Sequence, residues 1–341
     1  MKHIIVYSIG WIFLLLAGSC EKGEEYTTSP RENFDALWKI LDEHYCFFQY
    51  KDVDWNKVYD EYSIQIKDTM NQYQLFDLLG KMMAELKDGH TNLISSFDLA
   101  RYWKWYEDYP DNYNESIQRN YLGTDYHIAG GIKYKILLPD SIGYMFYPSF
   151  SAGVGETNLD YILSSFKNCK GLIIDVRNNG GGSLTYSDRI ASRFTKERVL
   201  AGYIVHKTGK GHNDFSEPYS FDLEPSDRIQ WPRAAVVLTN RRCYSATNDF
   251  VNKMRILPDV TIMGDRTGGG SGLPFSSELP NGWGVRFSAC PILNADKEIT
   301  EFGIDPDIRV NMTEQDMEDG KDTIIEEAKK FLLKAAESTE K

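Results

Sequence analysis

The sequence predicts an α/β protein: a core built on a largely parallel sheet, preceded by a small helical domain. Three observations carry this. Over 133–312, short apolar runs (IGYMFYPSF, GLIIDVR, AAVVLTN, VTIMG) alternate with helical stretches (NLDYILSSF, TYSDRIASRF, SATNDFVNKM), as strand–helix–strand crossovers require. Between residues 33 and 86, apolar residues recur at steps of three and four, the spacing of a buried helix face. The chain has 341 residues, 42% of them hydrophobic and 13% aromatic, enough to bury one large domain and a smaller one.

Taken in order, residues 1–19 begin with Lys2, run apolar from Ile4 to Ala17 and end in Ala17-Gly18-Ser19 before Cys20. The run falls short of the about 20 apolar residues that span a bilayer and predicts an export signal. Small residues directly before a cysteine resemble the lipobox of bacterial lipoproteins, which implies lipidation of Cys20; the alternative is ordinary cleavage beside an incidental cysteine. Residues 20–30 form a polar tether without periodicity.

Residues 31–92 are the predicted helical domain. Phe34, Leu37, Trp38, Leu41 and Tyr45 define one apolar face, and Leu75, Leu78, Leu79, Met82, Met83 and Leu86 another. Residues 93–132, rich in Tyr, Trp, Asp and Asn, read either as an insertion capping a cleft or as a long solvated loop packed by its own aromatics. The core follows over 133–312, and 313–341 ends in an amphipathic helix, DTIIEEAKKFLLKAA.

The formal net charge is −12, or −13 once Lys2 leaves with the leader, which argues against a general nucleic-acid partner. The cysteines after Cys20, at 46, 169, 243 and 290, form no C-x-x-C pair, so no zinc or redox motif is present and no metal or cofactor is expected.

Two strand-to-helix junctions can carry chemistry. GLIIDVRNNGGGSLTYSDRI places Gly180, Gly181 and Gly182 before a helix, and AAVVLTNRRCYSATNDF places Ser245 at the start of the next one. Loops at the carboxyl ends of parallel strands gather in one crevice. A serine there gains from unpaired helix amides: the N–H of Ala246 and one from the glycine loop could receive an oxyanion. Against this, serine is an ordinary helix N-cap. Its base is not Lys253, which lies eight residues on, roughly 12 Å along a helix. His90, in the turn LKDGHTNL, is placed to present an imidazole to a cleft, with capping of a helix end as the alternative. Neither GGGSLT nor TGGGSG continues as a phosphate loop, and CYSAT is not the G-x-S-x-G of an α/β-hydrolase. TGGGSG either lines a groove or merely turns between strands.

Together, LIIDVRNNGGG, VVLTNRRCYSATNDF, LKDGHTNL and EFGIDPDIRV resemble the C-terminal-processing (tail-specific) serine peptidase family, whose core is of the ClpP/crotonase-like fold. The four motifs occur in the family's order over Asn33 to Val310. The DGHT-like turn resembles the tricorn-core and interphotoreceptor retinoid-binding protein branch, and Gly270 stands where the other branch carries a lysine. The resemblance implies Ser245 as nucleophile, His90 as base, oxyanion donors at Ala246 and Gly181, and Glu301 closing a Ser–His–Ser–Glu relay. In the tricorn pattern a serine precedes the histidine, where this chain has Gly89. The relay therefore runs through Thr91, through a water or directly, with Asp88 a competing orienter of His90.

The expectation is an exported serine endopeptidase acting on peptide or protein substrates. A lipid anchor would hold it to a membrane, in the periplasm or on the outer-membrane surface. No PDZ pattern is legible between Leu93 and Ser141, which leaves tail specificity open. The rival is a non-catalytic ligand-binding lipoprotein on the same scaffold; a crotonase-type acyl-CoA enzyme is disfavoured by export.

Overall fold

The structure, a computed structural model, describes residues 26–339; the leader and Cys20 lie outside the described residues. The chain opens with α1 (Pro30–His44), α2 (Phe48–Lys51), α3 (Trp55–Ser63) and α4 (Gln72–Ala84), then β1 (Asn92–Ile94) and β2 (Leu99–Arg101). Next come α5 (Glu115–Leu122), β3 (His127–Ala129), β4 (Ile132–Leu137), β5 (Ile142–Phe146), α6 (Glu156–Ser165), β6 (Gly171–Asp175) and α7 (Leu184–Ala191). The second half holds β7 (Val199–Ile204), β8 (Tyr219–Leu223), β9 (Ala235–Thr239), α8 (Ala246–Met254), β10 (Val260–Gly264), β11 (Gly272–Glu278), β12 (Gly284–Leu293), β13 (Ile308–Arg309), α9 (Glu314–Glu318) and α10 (Thr323–Thr339).

Seven strands form one sheet in the order β13-β10-β9-β6-β5-β4-β3, parallel from β13 to β5 and antiparallel at β4 and β3. Its central strands are buried on both faces, which is why they read as unbroken apolar runs. Ile174, Val237 and Ile262 join the core with α6, α7 and α8, while Ile173, Val236, Leu238 and Met263 pack with α5 and α10.

A second sheet was not foreseen. It is antiparallel, in the order β2-β1-β12-β7-β8 with β11 also on β12. Leu93, Val285 and Phe287 of this sheet share a core with Phe34, Leu37, Leu41 and Leu79 of the N-terminal helices. The segment expected as a single insertion over 93–132 therefore contains part of β1, all of β2, α5 and β3, divided between two sheets.

The two glycine- and serine-bearing junctions do meet. Tyr244 N–H donates to the Asn179 carbonyl at 3.1 Å, and Asn178 N–H donates to Asn240 Oδ1 at 2.9 Å. Both follow the carboxyl ends of adjacent parallel strands, β9 and β6.

Candidate active site

Ser245 stands between β9 and α8 with φ 59° and ψ −122°, a left-handed backbone that a side chain adopts only when its surroundings hold it. Its N–H donates to the Gly269 carbonyl at 2.9 Å, and its hydroxyl makes no capping bond to the helix it precedes. Instead Ser245 Oγ lies 3.0 Å from His90 Nε2, across 155 residues of sequence. The capping reading of this serine is thereby displaced.

His90 is buried in the turn between α4 and β1, where its N–H donates to Asp88 Oδ1 at 2.8 Å. Burial lowers the imidazole to about 4; the Asp88 carboxylate opposes this, and the cations Arg286 and Lys51 add to it. The ring is thus a neutral base, as acceptance of a serine proton requires. Its Nδ1 has no hydrogen-bond partner of good geometry, although the Gly272 carbonyl is near enough to raise its basicity.

Behind His90 lies a buried ionic cluster. Asp88 Oδ2 accepts from Tyr45 and Ser288 hydroxyls, each at 2.9 Å, and stands 3.5 Å from Lys51 Nζ. Lys51 Nζ also bonds Glu301 Oε1 at 2.9 Å, and Glu301 Oε2 accepts from Ser271 N–H at 2.8 Å. Burial pushes the Glu301 carboxyl up to about 7, against the pull of Lys51 and with the help of Asp88. Asp88, held by two hydroxyls, a backbone amide and Lys51, is lowered despite burial.

This geometry revises the relay. Glu301 makes no hydrogen bond to His90; it holds Lys51 and the 270–272 loop instead. Thr91 Oγ1 is buried and bonds neither His90 nor Glu301, and Asp88 orients the histidine through its backbone amide rather than its ring. The departure at Gly89 has a steric reason: a Cβ there would fall 2.8 Å from Trp105 Nε1 and 2.9 Å from Tyr244 Oη. Those two rings stack at 4.4 Å and occupy the space a serine side chain would need.

Of the two expected oxyanion donors, Ala246 sits at the first position of α8. Gly181 packs against Ser245, with a Cβ position 2.7 Å from Ser245 Cβ, but its N–H donates to Asn179 Oδ1 at 3.0 Å. Lys253, set aside as a base, is paired with Asp188 and Asp249 at 2.6 Å each.

Two cavities flank the Ser245–His90 pair. One of about 170 Å³ is walled by Leu184, Leu273, Pro274, Ile292 and the Gly270–Gly272 loop. The TGGGSG stretch therefore lines the groove. The other, about 560 Å³, is bounded by the glycine loop on one side and Trp103, Trp105 and Tyr106 on the other, so the aromatic segment does border the cleft. Sequence reasoning missed Lys51 and Ser288, which belong to no motif, and the bond that Ser271 of the TGGGSG stretch makes to Glu301. Tyr45 was read as apolar core although its hydroxyl bonds Asp88.

The sequence profile of peptidase family S41 matches residues 141–310, and that of the tricorn protease C1 domain matches residues 26–84. A crystal structure of a candidate peptidase from Parabacteroides merdae ATCC 43184 is 68% identical, over 90% of this chain and 98% of that one, with a TM-score of 0.87. Mature CPAF complexed with lactacystin shares the fold at 12% identity and a TM-score of 0.70, over 91% of this chain and 99% of that one. A Sulfurisphaera tokodaii protein, named as a candidate tricorn-like protease C-terminal subunit, is 27% identical over 199 residues. That match takes in 58% of this chain and 21% of the curated relative's length.

Proposed function

The chain belongs to peptidase family S41, and on that premise we propose that it is an exported serine endopeptidase working through a Ser245–His90 pair. Ser245 Oγ attacks the peptide carbonyl while His90 Nε2 takes its proton; the same nitrogen then protonates the leaving amine, and water hydrolyses the acyl-enzyme by the reverse sequence. Developing negative charge on the carbonyl oxygen is met by the Ala246 N–H at the positive end of α8 and by an amide of the 180–182 loop. Use of Gly181 requires its N–H to leave Asn179 when substrate enters. Glu301 acts as a positioning residue that fixes Lys51 and the loop against the imidazole.

One observation carries the reading: the 3.0 Å contact between a strained serine and a neutral buried histidine. A fluorophosphonate probe tests it. Labelling of the folded protein that disappears in Ser245→Ala, with peptide cleavage reduced roughly 10⁴–10⁶-fold in His90→Ala, is the expected result. No labelling of the folded wild type would favour a non-catalytic ligand-binding protein.

Export and membrane attachment through Cys20 belong to the same proposal. They rest on the basic start, short apolar run and small residues before that cysteine. Metabolic incorporation of a labelled fatty acid, lost in Cys20→Ser, is expected; equal labelling of both would remove the anchor.

A further inference from the structure

The larger cavity has an unusual electrostatic lining for so acidic a chain. Arg101, Arg242 and Arg286 border it and no aspartate or glutamate does, although the protein carries 50 acidic against 38 basic residues. Two of these cations stand in register. Asn92 pairs with Arg101 on one side and with Arg286 on the other, and directly opposed residues project from the same sheet face. The backbones of Arg101 and Arg286 therefore stand about 10 Å apart, two strand spacings, with the Asn92 position between them.

Neither guanidinium is neutralised by a carboxylate among the described residues. Arg101 lies over the Trp103 ring at 4.4 Å, and Arg242 lies over Tyr106 at 4.1 Å with a solvent-exposed approach of 3.5 Å to Asp111. Stacking holds the planar fork in place while leaving its N–H groups free. Arg286 is half-buried and borders both cavities beside Ser245 and His90. A cation kept partly from water, with no internal counter-charge, is poised for one that arrives with a ligand.

We infer that this cavity is a carboxylate-binding subsite, in which Arg286 and Arg101 hold an acidic group of the peptide substrate on the side of the scissile bond facing Trp103–Tyr106. The inference rests on the peptidase reading. The group comes either from an Asp or Glu side chain or from the α-carboxylate of a chain end; both present the planar acceptor pair that a guanidinium fork matches.

The test uses peptide sets in which Asp/Glu and Asn/Gln alternate at each position around the cleavage site, every peptide made with a free and an amidated C-terminus. Cleavage is measured with the wild type and binding with Ser245→Ala, so that absence of fluorophosphonate labelling would count against the peptidase reading separately. A carboxylate is expected to improve kcat/KM and affinity by about 10–100-fold over its amide isostere, less at high salt. The gain should fall below about 3-fold in Arg286→Gln and in the double variant with Arg101→Gln. Because Arg286 is half-buried, the exposed Arg101→Gln variant provides a second arm in which the gain should shrink by several-fold. A gain that survives amidation identifies an acidic side chain, and one abolished by amidation identifies a chain end. Equal treatment of acid and amide peptides by the wild type, or an undiminished gain in the double variant, overturns the inference.

Discussion

At the scale of single residues, the ionic cluster behind His90 sets the chemistry. Lys51 faces two carboxylates inside the protein, so Lys51→Met would strand both. Breaking a buried pair in this way is expected to cost about 3–5 kcal/mol, read as a lowered thermal midpoint, with Lys51→Arg recovering most of it. The proposed mechanism needs neutral imidazole, and His90 is lowered to about 4. The acid limb of kcat/KM should therefore lie near pH 4, well below an ordinary histidine, and Arg286→Gln should move it upward by removing a cation. A limb at pH 6.5 would contradict the burial argument. The same group ties stability to pH. Between about 6.5 and 4 the unfolded chain takes up a proton that folded His90 refuses, so stability falls as pH drops through that window. Glu301 acts in the opposite sense. Its contribution is complete below its ordinary value of 4.5 and is lost as pH rises through about 7.

At the scale of elements, what was legible followed from burial. Strands β6, β9 and β10 lie where continuous apolar runs predict them, because a parallel sheet covered on both faces leaves no alternation to confuse the reading. The Ser245 and glycine junctions and the His90 turn were visible for a related reason: each sits at an element end marked by Gly, Asn or Asp. The antiparallel sheet was hidden. Its strands β11 and β12 carry glycine, proline and mixed polarity (GLPFSSE, GVRFSACPIL), and the pairing of β12 to β1 bridges nearly two hundred residues. Lys51 was invisible because a one-turn helix, FQYK, carries no periodicity, and its partners lie at 88 and 301. Junction geometry makes its own prediction. Gly269 has φ 83°, and a Cβ on it would lie 1.7 Å from the Glu301 carbonyl oxygen. Gly269→Ala should separate the 267–270 loop from the 300–303 turn, lowering the thermal midpoint and fluorophosphonate labelling together, whereas Gly282→Ala, with nothing within 4 Å, should leave labelling intact.

At the scale of the whole molecule, the C-terminal helix closes one face of the parallel sheet. Ile324, Ile325, Ala328 and Leu332 are fully buried against β6 and β9 side chains, and the buried Arg177 joins Asp175 of β6 to Asp322 just before α10 at 2.7 and 2.9 Å. Leu332→Ala is expected to cost about 2–5 kcal/mol in denaturant unfolding; a loss under about 0.5 kcal/mol, typical of surface changes, would mean that α10 is not part of the cooperative core. The working centre is drawn from opposite ends of the chain. His90, Asp88 and Lys51 come from the first third, while Ser245, Ser271 and Glu301 come from the last. A half-synthesised polypeptide thus owns an imidazole without a hydroxyl to activate. On the proposed mechanism, hydrolytic capacity appears only once the last third of the chain has been added and folded against the first, so a nascent chain on the ribosome cannot cut its surroundings.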